Sequence, residues 1–153
     1  MELKAWLGRC PLIAILRGVK PDEVVGIAAA LEAEGVAIVE VPLNSPEPME
    51  SIRRLAEVCG ERMLVGAGTV MTEAQVEEIA GAGGRLLVTP HADPVVVQAA
   101  KRLGMLAVPG FFTPAEAFSM LAAGRTGSNS FRRKQPVRRC CGRCERCCRP
   151  GQS

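Results

Sequence analysis

The chain has 153 residues, 48% of them apolar and only 3% aromatic, and its formal charge of +3 averages two unlike parts. Residues 1–124 carry ten Lys/Arg against fifteen Asp/Glu, a balance of −5, whereas residues 125–153 carry nine against the single Glu145, a balance of +8. Such a length suits one domain with a real core, and no apolar run approaches the roughly 20 residues of a membrane helix.

The opening, "MELKAWLGRCPLIAIL", is interrupted by Arg9 and Pro11, so no secretory leader is expected. Cys10 and Cys59 are the only cysteines before residue 125, which suits a reducing, cytoplasmic setting. From Pro11 onward a short apolar run, a turn and an amphipathic stretch recur about every 20 to 26 residues. The runs are "LIAIL" (12–16), "AIVEVPL" (37–43), "MLVGAGTV" (63–70), "LLVTP" (86–90) and "LAVPG" (106–110). Rich in Val, Ile and Leu and mostly not alternating, they predict strands buried on both faces of a parallel sheet. The segments between them predict helices. "KPDEVVGIAAALEAEG" offers Pro21 at its first position and "SPEPMESIRRLAEVCG" offers Ser45 as its cap. Three more, "MTEAQVEEIAGAG", "ADPVVVQAAKRLG" and "TPAEAFSMLAAG", follow the same plan, each closing on glycine.

Five consecutive βα units imply an α/β fold. The glycine fingerprint of a dinucleotide-binding sheet is missing from "ILRGVKPDE". Polar or special residues instead end almost every strand: Arg17, Glu40, Asn44, Thr69, Pro90, and Phe111 with Phe112. A (β/α)₈ barrel gathers its active site there, so the expectation is an incomplete (β/α)₈ TIM barrel of about five βα units over residues 1–124. The first and fifth strands should be its edges, with Ile13, Val39 and Leu87 on an inner face lacking a far wall. Aggregation or a molten state on expression is expected from such a sheet.

Glu40, inside an apolar strand, must be paired or lie at the strand's open end to offset desolvation. It is either a structural partner of a nearby cation or a general acid/base with a raised pKa. Arg17 ends the first strand and is either that partner or a grip for a substrate carboxylate. Thr69 follows two glycines that allow close approach of a ligand, or simply caps a helix.

Together "AILRG", "VEVPLNSP", "GAGTV", "VTPH" and "PGFFTPAEA", in this order and spacing, resemble the 2-keto-3-deoxy-6-phosphogluconate/6-phosphogalactonate aldolase family. The "PLNSP" after Glu40 is more similar to the phosphogalactonate branch. The resemblance covers residues 11–124. It implies a trimeric, metal-independent class I aldolase without a cofactor, which splits a phosphorylated sugar acid into pyruvate and D-glyceraldehyde 3-phosphate. It implies Glu40 as proton donor and acceptor, Arg17 as the pyruvate-carboxylate grip and Thr69 as a substrate contact. The family's nucleophile is a lysine on the sixth strand in a Lys-φ-Phe-Pro context, forming a Schiff base. Lys4, Lys20, Lys101 and Lys134 do not match it, so the chain as written is expected to be inactive.

The tail, residues 125–153, reads as a disordered basic segment. One base out of register, the codons permitted by "GSNSFR" spell L-K-L-F-P, and those after it spell an apolar helix. A frameshift near residue 124 or 125 is therefore expected. The tail also has two features of binding segments. Among the tail's five cysteines, Cys140, Cys144 and Cys147, or Cys141, Cys144 and Cys147, have spacings similar to iron–sulfur motifs, although no second Cys or His group completes a zinc tetrahedron. The +8 charge allows salt-dependent, nonspecific nucleic-acid binding, with Phe131 as the one aromatic of the tail. A non-enzymatic Cys/Arg-rich binding protein on a half-barrel scaffold is the alternative function.

Overall fold

The computed structural model describes residues 2–130. Six parallel strands lie in chain order: β1 (Ala14–Ile15), β2 (Ile38–Pro42), β3 (Leu64–Gly68), β4 (Leu86–Thr89), β5 (Leu106–Phe111) and β6 (Asn129–Ser130). Helix α1 (Leu3–Arg9) precedes the sheet; α2 (Val24–Ala33), α3 (Pro48–Cys59), α4 (Glu73–Gly81), α5 (Pro94–Arg102) and α6 (Pro114–Ala123) connect the strands. The architecture is an α/β sheet wound as a partial barrel.

The uninterrupted apolar strands have two buried faces. On one, Val39, Val41, Val65, Ala67, Leu87 and Ala107 pack with helix residues such as Ile52, Leu55, Ile79 and Val97 in the main core. On the other, Ile38, Leu64, Leu86, Leu106 and Val108 form a second cluster with Leu3, against which Trp6, Leu7 and Ile13 pack. The strand parity explains the division, since successive side chains alternate faces. Val39 and Leu87 therefore face the helices, not the barrel interior as the sequence reading had them; of the three residues assigned there, Ile13 lies in the inner cluster.

Helix α1 was not foreseen. It covers the amino-terminal ends of the strands, so Ile38, Leu64 and Leu86 are fully buried despite the unclosed sheet. Trp6 carries Arg9 at 5.2 Å and Arg85 at 5.9 Å over its ring, a stacking that fixes the helix to its neighbours. Arg85 also donates to the carbonyls of Gly60 and Met63.

Two helix starts differ from expectation. Residues 21–23 form a turn in which the Glu23 carboxylate accepts from Lys20 N–H, and α2 begins only at Val24. Pro21 is thus not its first residue. Glu47, in the left-handed region at φ 41°, occupies the cap position of α3, and Ser45 serves elsewhere. The last three helices are capped by side chains: Thr72 with Gln75 and Thr113 with Glu116 form reciprocal capping boxes, and Asp93 accepts from Val95 N–H.

Residues 125–130, placed by the sequence reading at the start of the tail, continue the sheet. Thr126 and Gly127 N–H both donate to Ala107 O, and Asn129 and Ser130 pair with Gly110 and Phe111. The described sheet is therefore bounded by β1 and β6, not by β1 and β5. The rest of the proposed tail, including its five cysteines, Lys134 and Phe131, lies outside the described residues.

Candidate active site

The carboxyl ends of β1 to β3 bring the three sequence-predicted residues to one end of the sheet. Glu40 sits opposite Ile15 of β1 and Gly66 of β3. It shares strand parity with Ile38, so it points to the barrel interior above the apolar cluster. Its side chain is almost wholly buried at 4% exposure, and among the described residues its Oε2 has no hydrogen-bond partner. Burial raises its carboxyl to about 7, against a smaller lowering by the Arg17 charge. The carboxylate fits because residue 68 is glycine: a Cβ at Gly68 would overlap both of its oxygens. The second glycine of "GAGTV" thus makes the room in which Glu40 lies.

Arg17, two residues beyond β1, is exposed. It forms no ion pair with Glu40; its Nη1 donates instead to Asn44 Oδ1 at 2.9 Å. The structural ion pair considered from sequence is therefore absent, while the proximity of Arg17 to Glu40 is retained in its Coulombic effect. Beside this contact, Gly18 N–H donates to Ser45 Oγ at 3.1 Å, and Ser45 N–H donates to Pro42 O at 2.9 Å. "PLNSP" thereby ties the loop after β2 to the loop after β1. Sequence reasoning noted Asn44 as a strand-end polar residue but missed this link. The proximity of Asn44 and Ser45 to "RG" across adjacent strands was the available signal.

Thr69 follows β3 directly, partly buried, with a backbone φ of 61°. For a β-branched residue that conformation is strained, at a cost of about 1–3 kcal/mol. Thr69 is thus not a helix cap; Thr72 caps α4. A further polar string ends β4: Thr89 Oγ1 lies 2.8 Å from His91 Nδ1, and His91 Nε2 lies 3.8 Å from Asp93 Oδ2. Pro90 and Phe111 close β4 and β5, and Phe112 is exposed at 59%. Among the described residues, no group of His, Cys, Asp and Glu is placed to hold a metal ion, and no helix is long and apolar enough to cross a membrane.

A buried carboxyl, an arginine fork and a glycine-lined strand end are gathered at the carboxyl end of a partial parallel barrel, the end at which (β/α)₈ enzymes place their active sites. The family model for KDPG and KHG aldolases matches residues 3–132. A protein of Rhizobium meliloti (strain 1021) described as a probable 2-dehydro-3-deoxy-6-phosphogalactonate aldolase is 49% identical over 121 residues, covering 79% of this chain and 57% of its own length. A solved KDPGal structure superposes with a TM-score of 0.79 at 41% identity, over 80% of this chain and 60% of that one. KDPG aldolase from Legionella pneumophila, holding pyruvate as a covalent carbinolamine intermediate, superposes with a TM-score of 0.74 at 25% identity, over 81% and 60%. The chain belongs to the KDPG and KHG aldolase family. It spans somewhat more than half the length of these relatives.

Proposed function

We propose that this chain is by lineage a Schiff-base aldolase of sugar-acid catabolism, acting on 2-dehydro-3-deoxy-6-phospho-D-galactonate and releasing pyruvate and D-glyceraldehyde 3-phosphate. The observation that carries the reading is the state of Glu40: buried, without a partner on Oε2, and raised to about 7 beside Arg17. A carboxyl with that midpoint exchanges protons readily near neutral pH. The resemblance in "PLNSP" and the Rhizobium relative favour the galactonate epimer over the gluconate one.

In this reading Arg17 grips the carboxylate of the 2-oxo acid, leaving its keto carbon towards the barrel interior. Glu40 delivers and removes protons: to the hydroxyl formed when the amine attacks the keto carbon, and at the methyl carbon of the pyruvate portion after C–C cleavage. Thr69 contacts the substrate beside the two strand-end glycines. The partners are a small phosphorylated sugar acid and pyruvate, with a homotrimer as the family assembly.

The same reading makes the chain as written inactive. Bond cleavage needs an electron sink, which a lysine imine supplies. Lys4 lies in α1, Lys20 in the turn before α2, and Lys101 in α5. None of these stands on β6. In the neighbouring reading frame, the lysine codon overlaps the codons of Ser128 and Asn129, and Asn129 is the β6 residue paired with Gly110. A frameshift near codon 125 thus replaces the nucleophile at its own strand, and residues 125–153 form an out-of-frame tail to the aldolase domain.

Two measurements test this. The nucleotide sequence around codon 125 must be able to spell L-K-L-F-P in the adjacent frame; a sequence that cannot do so ends the frameshift. The frame-restored protein must then cleave the phosphogalactonate substrate in preference to its gluconate epimer. A restored protein without cleavage of either epimer overturns the aldolase reading itself.

A further inference from the structure

Arg17 and Glu40 pose a problem that the site's proposed chemistry does not solve. They lie on adjacent strands with compatible parity, since Ile15 is the register partner of Glu40 and Arg17 follows two residues later. Opposite charges so placed on a sheet ordinarily pair. A direct ion pair would hold the carboxylate in its charged form, well below neutral pH, and would occupy the guanidinium that the substrate carboxylate needs. The structure holds the two apart, and the group that does so is identifiable.

We infer that Asn44 is a positioning residue: its carboxamide oxygen tethers the Arg17 guanidinium away from Glu40, leaving the carboxylate unpaired and the guanidinium's remaining donors free for a ligand. Three observations converge on it. Arg17 Nη1 donates to Asn44 Oδ1 at 2.9 Å. Glu40 Oε2 is buried without a partner although a cation is near enough to act on it. The loop bearing Asn44 is itself fixed, because Ser45 Oγ accepts from Gly18 N–H and Ser45 N–H donates to Pro42 O. Asn44 is therefore held from one side by β2 and from the other by the loop that carries Arg17.

The choice of an amide matters. Asn44 accepts one donor without neutralising the guanidinium, so Arg17 keeps its full charge for a substrate carboxylate. An aspartate there would hold Arg17 as firmly while cancelling that charge. Among the described residues, Arg17 from the end of β1 is the charged group that acts on Glu40; β3 presents Gly66 and Gly68 to it, which carry none. Losing the Asn44 tether therefore leaves Arg17 one evident destination, the Glu40 carboxylate. This inference rests on the aldolase reading for its purpose and on the hydrogen-bond geometry for its substance.

The test is a ¹³C-carboxyl NMR titration of Glu40 in the full chain and in Asn44→Ala, Asn44→Asp, Arg17→Gln and the Asn44→Ala/Arg17→Gln double variant. Asn44→Ala is expected to lower the Glu40 midpoint by about one unit or more, the usual effect of an opposite charge moving within 4–6 Å. Asn44→Asp, which keeps the tether, is expected to leave the midpoint raised. In the Arg17→Gln background, removal of Asn44 should no longer move it, a coupling that general loosening of the site would not produce. An unchanged midpoint in Asn44→Ala, or the same fall with and without Arg17, overturns the inference. Either result leaves the aldolase reading standing, since that is decided by cleavage in the frame-restored protein.

Discussion

At the amino-terminal ends of the strands, Ile38, Leu64 and Leu86 are fully buried beneath α1, whereas at the carboxyl ends Ile15 stands 59% exposed and Glu40 is sealed in without a partner for Oε2. The two ends belong to the same strands, two or three residues apart. One end is an apolar layer closed by a helix; the other holds a buried carboxyl, an exposed strand-end apolar residue and a strained threonine. The difference separates what stabilises the sheet from what the sheet is for. Burial of apolar area makes the closed floor favourable, while the buried carboxyl and the left-handed threonine at the mouth each cost free energy.

Weakening the floor should have the largest effect. Leu86→Ala removes a fully buried side chain from the inner cluster and is expected to destabilise by about 4 kcal/mol, as such truncations of close-packed leucines do. Urea unfolding followed by circular dichroism checks it. A loss of less than about 1 kcal/mol would mean that the floor is loosely packed.

The mouth should respond in the opposite sense. Glu40 has a folded pKa of about 7, above the ordinary 4.5. The folded chain therefore binds more protons than the unfolded one between those values, so stability falls as pH rises from 4.5 to 7. Above that window the ionised Glu40 costs on the order of 3 kcal/mol, at about 1.4 kcal/mol per unit. Glu40→Gln should recover much of this at pH 8 and flatten the pH dependence of the urea midpoint across the window. An unaltered slope would show that Glu40 is ordinary.

Thr69→Gly should give the smallest of these effects. It relieves the left-handed backbone at φ 61° and is expected to stabilise by about 1 kcal/mol, the strain outweighing the added entropy of the unfolded chain. A destabilised variant would place Thr69 with the supporting residues of the floor.

Much of the floor and part of the mouth were legible in the sequence. The five apolar runs became β1 to β5 because continuous Val, Ile and Leu suit strands covered on both faces. Their facing was harder to read, since a run without alternation carries no internal marker. Glu40 supplies one: a polar residue turned inward fixes Ile38 as inward and Val39 as outward, the assignment that the structure makes. Helix α1 escaped notice because "LKAWLGR" is a single short stretch whose helicity depends on Leu3 and Trp6 meeting the inner cluster. Ser45 was misread as a cap because its hydroxyl has a better-placed donor in Gly18 N–H, across the loops. Arg17 and Glu40 stood out as charges at apolar strand ends, but the bond from Arg17 to Asn44 and the backbone of Thr69 arise from loop geometry that residue type does not encode.

In the proposed function, this mouth retains the carboxylate-gripping and proton-moving half of an aldolase site without the lysine that would complete it. Borohydride trapping with pyruvate, read by intact-protein mass spectrometry, tests it most directly. The chain as written should acquire no stable adduct, while the frame-restored chain should acquire one, on its sixth-strand lysine. Stoichiometric labelling of the present chain would contradict the account, because it would reveal a nucleophile that the proposed site lacks.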